Sequence, residues 1–357
     1  MKDFRNKISR EIVPYVPGEQ PDGLDYIKLN TNENGFSPSE KVKNAIRKLL
    51  DEDIFLRRYP HPDGEPLRGR LAKNFKIKNE SVLITNGSDE ALAIICRAFF
   101  EGASVVAFPE ISYSFYSVLI ESVGAKYFLI PMKKMDEKYL GVNLEGLRQS
   151  ASNAIFLPNP NALTGELILP ETLSQAISAT PEKLWIIDEA YTAFAPPNSS
   201  MIPRLKNLTN CIVTGTFSKS HSLAGLRIGF AVSENEFIMK GLYAMKESYN
   251  EDVIAIHAGA AALEDESVIR NNEIIMEQRE YVRDSLVKSG WYVFRSAANF
   301  LLASPPQKFK SEDIYHFLKK NKILVRYFKT PQLADFLRIT IGNPPENDAL
   351  LRKLSEF

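Results

Sequence analysis

Short apolar runs alternate with longer amphipathic stretches over the first two thirds of the chain. Residues 82–85, 105–108, 127–130, 155–157, 185–187, 211–214 and 228–232 are rich in β-branched and aromatic side chains. Runs this short, bounded by polar residues, read as strands. Helix-length segments lie between several of them, among them 89–100 and 115–123. Near-continuous apolar strands alternating with helices predict an α/β fold with a mostly parallel central sheet. Upstream, 27–30 reads as a strand, and Ser39 caps a helix to Leu50 that turns Val42, Ile46 and Leu49 inward. Residues 65–75 read as a helix with Pro66 in its first turn, where a missing N–H costs nothing.

Beyond about residue 253 the pattern changes. A long helix is expected over 268–288, and strand-like pieces follow at 291–293, 300–302, 323–325 and 337–341. With helices at 313–318 and 346–354 among them, this part reads as a smaller α+β domain. The first stretch is punctuated by Pro14, Pro17 and Gly18 and reads as an extended arm. The expected division is an arm over 1–28, a large domain over 29–255 and a small domain over 256–357.

Composition narrows the partners. The chain has 357 residues, 44% of them hydrophobic, enough for a large core and a second smaller one. The 44 basic and 44 acidic residues balance, so no basic face points to nucleic acid. Cys96 and Cys211 both lie in apolar runs and read as buried thiols, which suits a reducing cytoplasm. No Cys/His spacing suggests a metal site. Residues 1–10 are charged and do not form a secretion signal, and no apolar run is long enough for a bilayer. The expected partner is a small molecule in the cytoplasm.

In parallel sheets, ligands collect where the strands end. After 82–85 comes Asn86-Gly87-Ser88-Asp89, a glycine and a hydroxyl opening a helix, which suits an anion. After 105–108 comes Tyr113, able to stack on a flat ring. After 155–157 comes the turn Asn159-Pro160-Asn161-Ala162-Leu163-Thr164-Gly165, with amides that can reach a phenolic oxygen. After 185–187 comes Asp188-Glu189-Ala190-Tyr191; a buried carboxylate there needs a partner such as a ring N–H. After 211–214 comes Thr216-Phe217-Ser218-Lys219, with Arg227 eight residues beyond the lysine. A deprotonated lysine can form a Schiff base with an aldehyde.

With this order of motifs the chain resembles the fold-type I pyridoxal-phosphate (PLP) aminotransferases, and among them the histidinol-phosphate aminotransferase family. Pro-Tyr-Val-Pro-Gly at 14–18, Leu-Asn-Thr-Asn-Glu-Asn from Leu29 and Arg-Tyr-Pro at 58–60 match at one end. Leu-Val-Arg-Tyr-Phe from Leu324 and Leu-Arg-Ile-Thr-Ile-Gly from Leu337 match at the other. The resemblance implies the aspartate aminotransferase-like fold, pyridoxal 5'-phosphate as cofactor, and a homodimer with shared active sites. It implies Lys219 as the Schiff-base lysine and proton carrier, Asp188 at the ring nitrogen and Tyr191 at the ring oxygen. Gly87, Ser88, Asp89, Thr216, Ser218 and Arg227 would surround the phosphate, with Tyr59 reaching the neighbouring subunit's phosphate. Arg338 and Arg326 would hold substrate anions, with Tyr15 and Asn32 beside them and the arm closing over the site.

The implied reaction is amino transfer between histidinol phosphate and 2-oxoglutarate, with glutamate as the family's amine donor. Aromatic aminotransferases and a threonine-phosphate-type decarboxylase share these motifs and stay open as alternatives. A PLP-binding regulatory module would carry a DNA-binding domain, and only a short arm precedes Asn30. One departure is local: aligned on Thr164-Gly165, the amide expected at the ring oxygen falls on Ala162. Either Asn161 shifts to fill that role or Tyr191 serves alone. His221, two residues past the lysine, reads as a packed or exposed histidine rather than a catalytic one.

Overall fold

The computed structural model describes residues 2–21, 23, 25–135 and 140–357; Met1, Asp22 and Leu24 of the expected arm lie outside the described residues. Seven strands form the large sheet in the order Val82–Asn86, Ile228–Val232, Cys211–Thr216, Leu184–Asp188, Ala154–Pro158, Val105–Pro109 and Lys126–Ile130. Ile228–Val232 runs antiparallel to both neighbours, and the remaining pairs are parallel. Successive side chains of a strand point to opposite faces. Trp185, Ile187, Cys211 and Val213 therefore enter one core, while Ile186 and Ile212 enter another on the far side. Both faces are covered, which is why these strands read as unbroken apolar runs.

A second sheet joins Ile27–Leu29, Ile323–Tyr327, Leu337–Thr340, Phe300–Ser304 and Tyr292–Val293 in that order. The first pair is parallel and the others antiparallel. The expected boundaries both fall inside elements. Residue 28 lies in the strand Ile27–Leu29, and residue 255 lies in the helix Val253–Ala262. That helix places Ala255, Ile256, Ala258, Ala260 and Ala261 in the large core. It is apolar on every side, so periodicity could not reveal it. The arm is also not extended throughout: Lys7–Glu11 is a short helix whose Asn6 accepts the Ser9 N–H. Among the described residues no helix is long and apolar enough to cross a membrane.

The consequence for function is positional. The strands ending at Asn86, Pro109, Pro158, Asp188 and Thr216 all run the same way, so their exits share one edge of the large sheet. Residues 30–34 leave the small sheet and run across that edge.

Candidate active site

Lys219 sits in the loop that leaves Cys211–Thr216. Thr216 Oγ1 accepts the Ser218 N–H at 3.1 Å and lies 3.0 Å from Ser218 Oγ, which shapes the turn. Lys219 Nζ donates to the Thr31 carbonyl at 3.1 Å, and Asn34 Nδ2 donates to the Lys219 carbonyl at 2.9 Å. Burial pushes the amine down to about 8, Arg338 adds to the effect, and Glu33 and Asp89 oppose it. An amine in that range offers a usable fraction of free base near neutral pH.

Asp188 closes the neighbouring strand and is buried. Its Oδ2 accepts from Tyr116 Oη at 2.8 Å, and its Oδ1 accepts the Ala190 N–H at 3.3 Å. Burial raises its carboxyl to about 6, while the Tyr116 bond pulls it back. Glu189 faces the other way, as the alternation of a strand requires. It accepts from Ser200 Oγ at 2.6 Å and from the Met201 N–H, so it anchors the following loop and takes no part in the site. Tyr191 is buried edge-on to Phe300, and its Oη accepts from Asn32 Nδ2 at 3.0 Å.

The anion cradle forms at the start of the helix Gly87–Phe99, whose first turn has no side-chain cap. A Cβ added to Gly87 would stand 2.7 Å from Arg227 Nη2, so the guanidinium lies over the free helix end. A Cβ on Gly229 would overlap the Gly87 carbonyl carbon at 2.3 Å, so only glycine lets this strand approach the turn. Asp89 links the cradle to the aromatic wall: Oδ2 meets Arg227 Nη2 at 3.4 Å and Oδ1 accepts from Tyr113 Oη at 3.0 Å. Tyr113 in turn stands edge-on to Tyr15 at 5.9 Å. Helix N–H groups, two hydroxyls and one guanidinium suit a phosphate, and a buried carboxylate beside a phenol suits a protonated ring. The residues present fit the cofactor that the motifs imply.

Behind the cradle, Asn250 Nδ2 donates to Glu90 Oε2 at 2.7 Å, and Glu251 is buried with no hydrogen-bond partner for either carboxylate oxygen. Burial first, then Glu90 and Asp252, push Glu251 up to about 9. An acid whose folded pKa is raised stabilises the fold fully below its unfolded pKa and loses that contribution as pH rises through the folded value. The window runs from 4.5 to about 9. In thermal melts of the cofactor-free protein, Glu251→Gln should therefore flatten the fall of Tm between pH 6 and 9. A gain of about 2–5 °C at pH 9 is expected from relieving a buried unpaired charge. Parallel curves for the two proteins would contradict this.

On the substrate side, Arg338 lies on the small-sheet strand and faces Lys219. Its two Nη groups donate to the carbonyls of Ala162 and Asn30, each at 3.2 Å. Its Nε is buried without a partner, and its guanidinium lies 5.3 Å from the Phe300 ring centre. Arg326 reaches the arm and donates to the carbonyls of Val16 and Pro17. Tyr15, in that arm, also packs against Phe115.

Asn161, Tyr59 and His221 have settings of their own. Asn161 is completely buried: it donates to the Ile111 carbonyl and accepts the N–H groups of Leu163 and Thr164. These bonds hold its own turn. Tyr59 is 81% exposed and stacks on Tyr249 at 4.5 Å. His221 packs on Phe217 at 4.3 Å with Nδ1 2.8 Å from Ser220 Oγ, and desolvation lowers it to about 4, so it is neutral. Sequence reading passed over Tyr116, Asn34, Thr31 and Thr340. Thr31, Asn34 and Thr340 lie within the matched motifs, and Tyr116 lies three residues past Tyr113.

The family described as aminotransferase class I and II matches residues 25–354. A histidinol-phosphate aminotransferase of Clostridium beijerinckii is 40% identical over 99% of this chain and 97% of its own length. One of Pseudomonas syringae pv. syringae is 39% identical, with both chains covered completely. Among solved structures, the histidinol-phosphate aminotransferase of Sinorhizobium meliloti in complex with pyridoxal 5'-phosphate superposes with a TM-score of 0.87 at 22% identity. It covers 100% of this chain and 98% of that one, a likeness of fold.

Proposed function

We propose that this chain, which belongs to the aminotransferase class I and II family, transfers an amino group between histidinol phosphate and 2-oxoglutarate with pyridoxal 5'-phosphate as cofactor. The observation that carries this reading is the pairing of Lys219 with Arg338. Arg338 is near enough for its charge to help lower the Lys219 amine, and its own buried Nε has no protein partner. The curated full-length relatives named histidinol-phosphate aminotransferase supply the substrate.

When bound, the cofactor supplies an aldehyde for the amino group and a ring that takes up electrons. The chain's own residues divide the remaining work. Asp188, buried and ionised above about pH 6, holds the proton on the ring nitrogen. Tyr191 donates to the ring oxygen. Gly87, Ser88, Asp89, Thr216, Ser218 and Arg227 surround the phosphate, and Tyr113 flanks the ring. Lys219 Nζ, held at the Thr31 carbonyl, would carry the proton taken from the substrate Cα. Arg338 presents a fork that matches either a carboxylate or a phosphate, which lets one site take both substrates in turn.

We place a second copy of the chain against Tyr59. This tyrosine borders a groove of about 600 Å³ lined by Phe55, Leu56, Pro60, Leu226 and Val253. Paired across a two-fold axis, each Tyr59 would reach the other chain's phosphate. Two free, buried cysteines agree with a cytoplasmic enzyme.

The test is a single-turnover panel. Cofactor-loaded protein is mixed with histidinol phosphate, glutamate, phenylalanine or threonine phosphate while the cofactor absorbance is followed. Histidinol phosphate and glutamate should discharge the band; silence toward histidinol phosphate would refute the substrate, and carbon dioxide release would point to decarboxylation. Arg338→Lys should lower kcat/KM for both substrates by roughly 10²-fold, chiefly through KM, since a point charge replaces a planar fork.

A further inference from the structure

One short loop touches both reacting side chains. The Thr31 carbonyl accepts from Lys219 Nζ, and the next residue, Asn32, donates its amide to Tyr191 Oη. Asn32 is 1% exposed, and each of its polar atoms has a partner. Its N–H donates to Thr340 Oγ1 at 3.0 Å, its Oδ1 accepts from that hydroxyl at 3.1 Å, and its carbonyl accepts from Asn299 Nδ2 at 3.0 Å. Because Thr340 gives its proton to Oδ1, the Nδ2 end is the one left facing the phenol. The backbone of Asn32 is left-handed, with φ of 56°, a conformation that asparagine and glycine tolerate and most residues do not.

An N–H donated into a phenol oxygen has two effects. It occupies a lone pair, so the phenol's own proton must turn to another acceptor. It also polarises the O–H and makes it a stronger donor. The side-chain amide of Asn161 is turned to the Ile111 carbonyl, and Ala162 has no side-chain amide and offers Arg338 a carbonyl.

We propose that Asn32 is a positioning residue that fixes Tyr191 as a donor toward the cofactor's ring oxygen and ties that setting to the small-sheet strand Leu337–Thr340. The assignment rests on the cofactor reading above. The same strand carries Arg338, two residues before Thr340 and therefore on the same face. Substrate-anion binding and the state of the ring oxygen thus share one rigid element.

The experiment compares wild type, Asn32→Gly and Asn32→Asp, each loaded with pyridoxal 5'-phosphate, by absorbance across pH. Glycine removes the amide while keeping the left-handed backbone. Aspartate keeps the shape but accepts the phenol proton. A donor at the ring oxygen favours its anion and so lowers the chromophore's titration midpoint. The midpoint should rise by about 0.5 unit in Asn32→Gly and by about 1 unit or more in Asn32→Asp. Midpoints that agree within about 0.2 unit across the three proteins would overturn the proposal alone. A wild type with no Lys219-dependent band would overturn both the proposal and the cofactor reading.

Discussion

Lys219→Ala is expected to lose activity by at least about 10⁴-fold, the combined scale of a covalent anchor and a positioned base. Geometry is the first reason. Nζ stands at the edge where five strands end, held by the Thr31 carbonyl, while the lysine's own carbonyl is held by Asn34. Lys28, on the small-sheet strand Ile27–Leu29, is committed to Glu33 and Thr31. The fold should survive, because Lys219 fills no core cluster. Far-UV dichroism should match wild type while the pH-dependent cofactor band disappears. A pure variant that kept both the band and turnover would overturn the assignment of the site.

Asp188→Asn should cut kcat by roughly 10²–10⁴-fold, the loss of about 3–5 kcal/mol expected when one member of a buried ion pair is removed. Stability should not follow activity. Burial raises the Asp188 carboxyl from 3.8 to about 6, so its stabilising contribution is complete below 3.8 and lost as pH rises through 6. At pH 8 the ionised group is a cost to the cofactor-free fold, and asparagine carries no charge to bury. The Tm of cofactor-free Asp188→Asn at pH 8 should therefore be no lower than wild type, while cofactor binding weakens. A parallel loss of both would mean that Asp188 is a structural residue.

Much of this was open to reading in the sequence because strand ends and polar residues coincide. Apolar runs marked the large-sheet strands within a residue or two, and Gly87, Asp188, Lys219 and Arg227 stood beside them. What escaped had physical reasons. The helix Val253–Ala262 lacks a polar face, so it gives no period. Tyr116 and Thr214 look like packing until the buried Asp188 beside them shows what they serve. Asn161 looked available because a turn amide can face outward or inward, and only the folded chain shows that the Ile111 carbonyl takes it. Thr340 and Asn32 are separated by 308 positions, and nothing local signals their bond.

The parallel pairing of Ile27–Leu29 with Ile323–Val325 has a consequence for the order of synthesis. The large sheet can close once Ile228–Val232 has emerged, with its last core helix ending at Ala262. The strand that leads into residues 30–34 must wait for a partner made about 300 residues later. At about 5–20 residues per second on the ribosome, that is a delay of roughly 15–60 s. During it the lysine loop lacks the bracket that Thr31, Asn32 and Thr340 complete. A nascent chain therefore assembles the turn at Gly87 early, and the setting of Lys219 only after the strand Leu337–Thr340 has emerged.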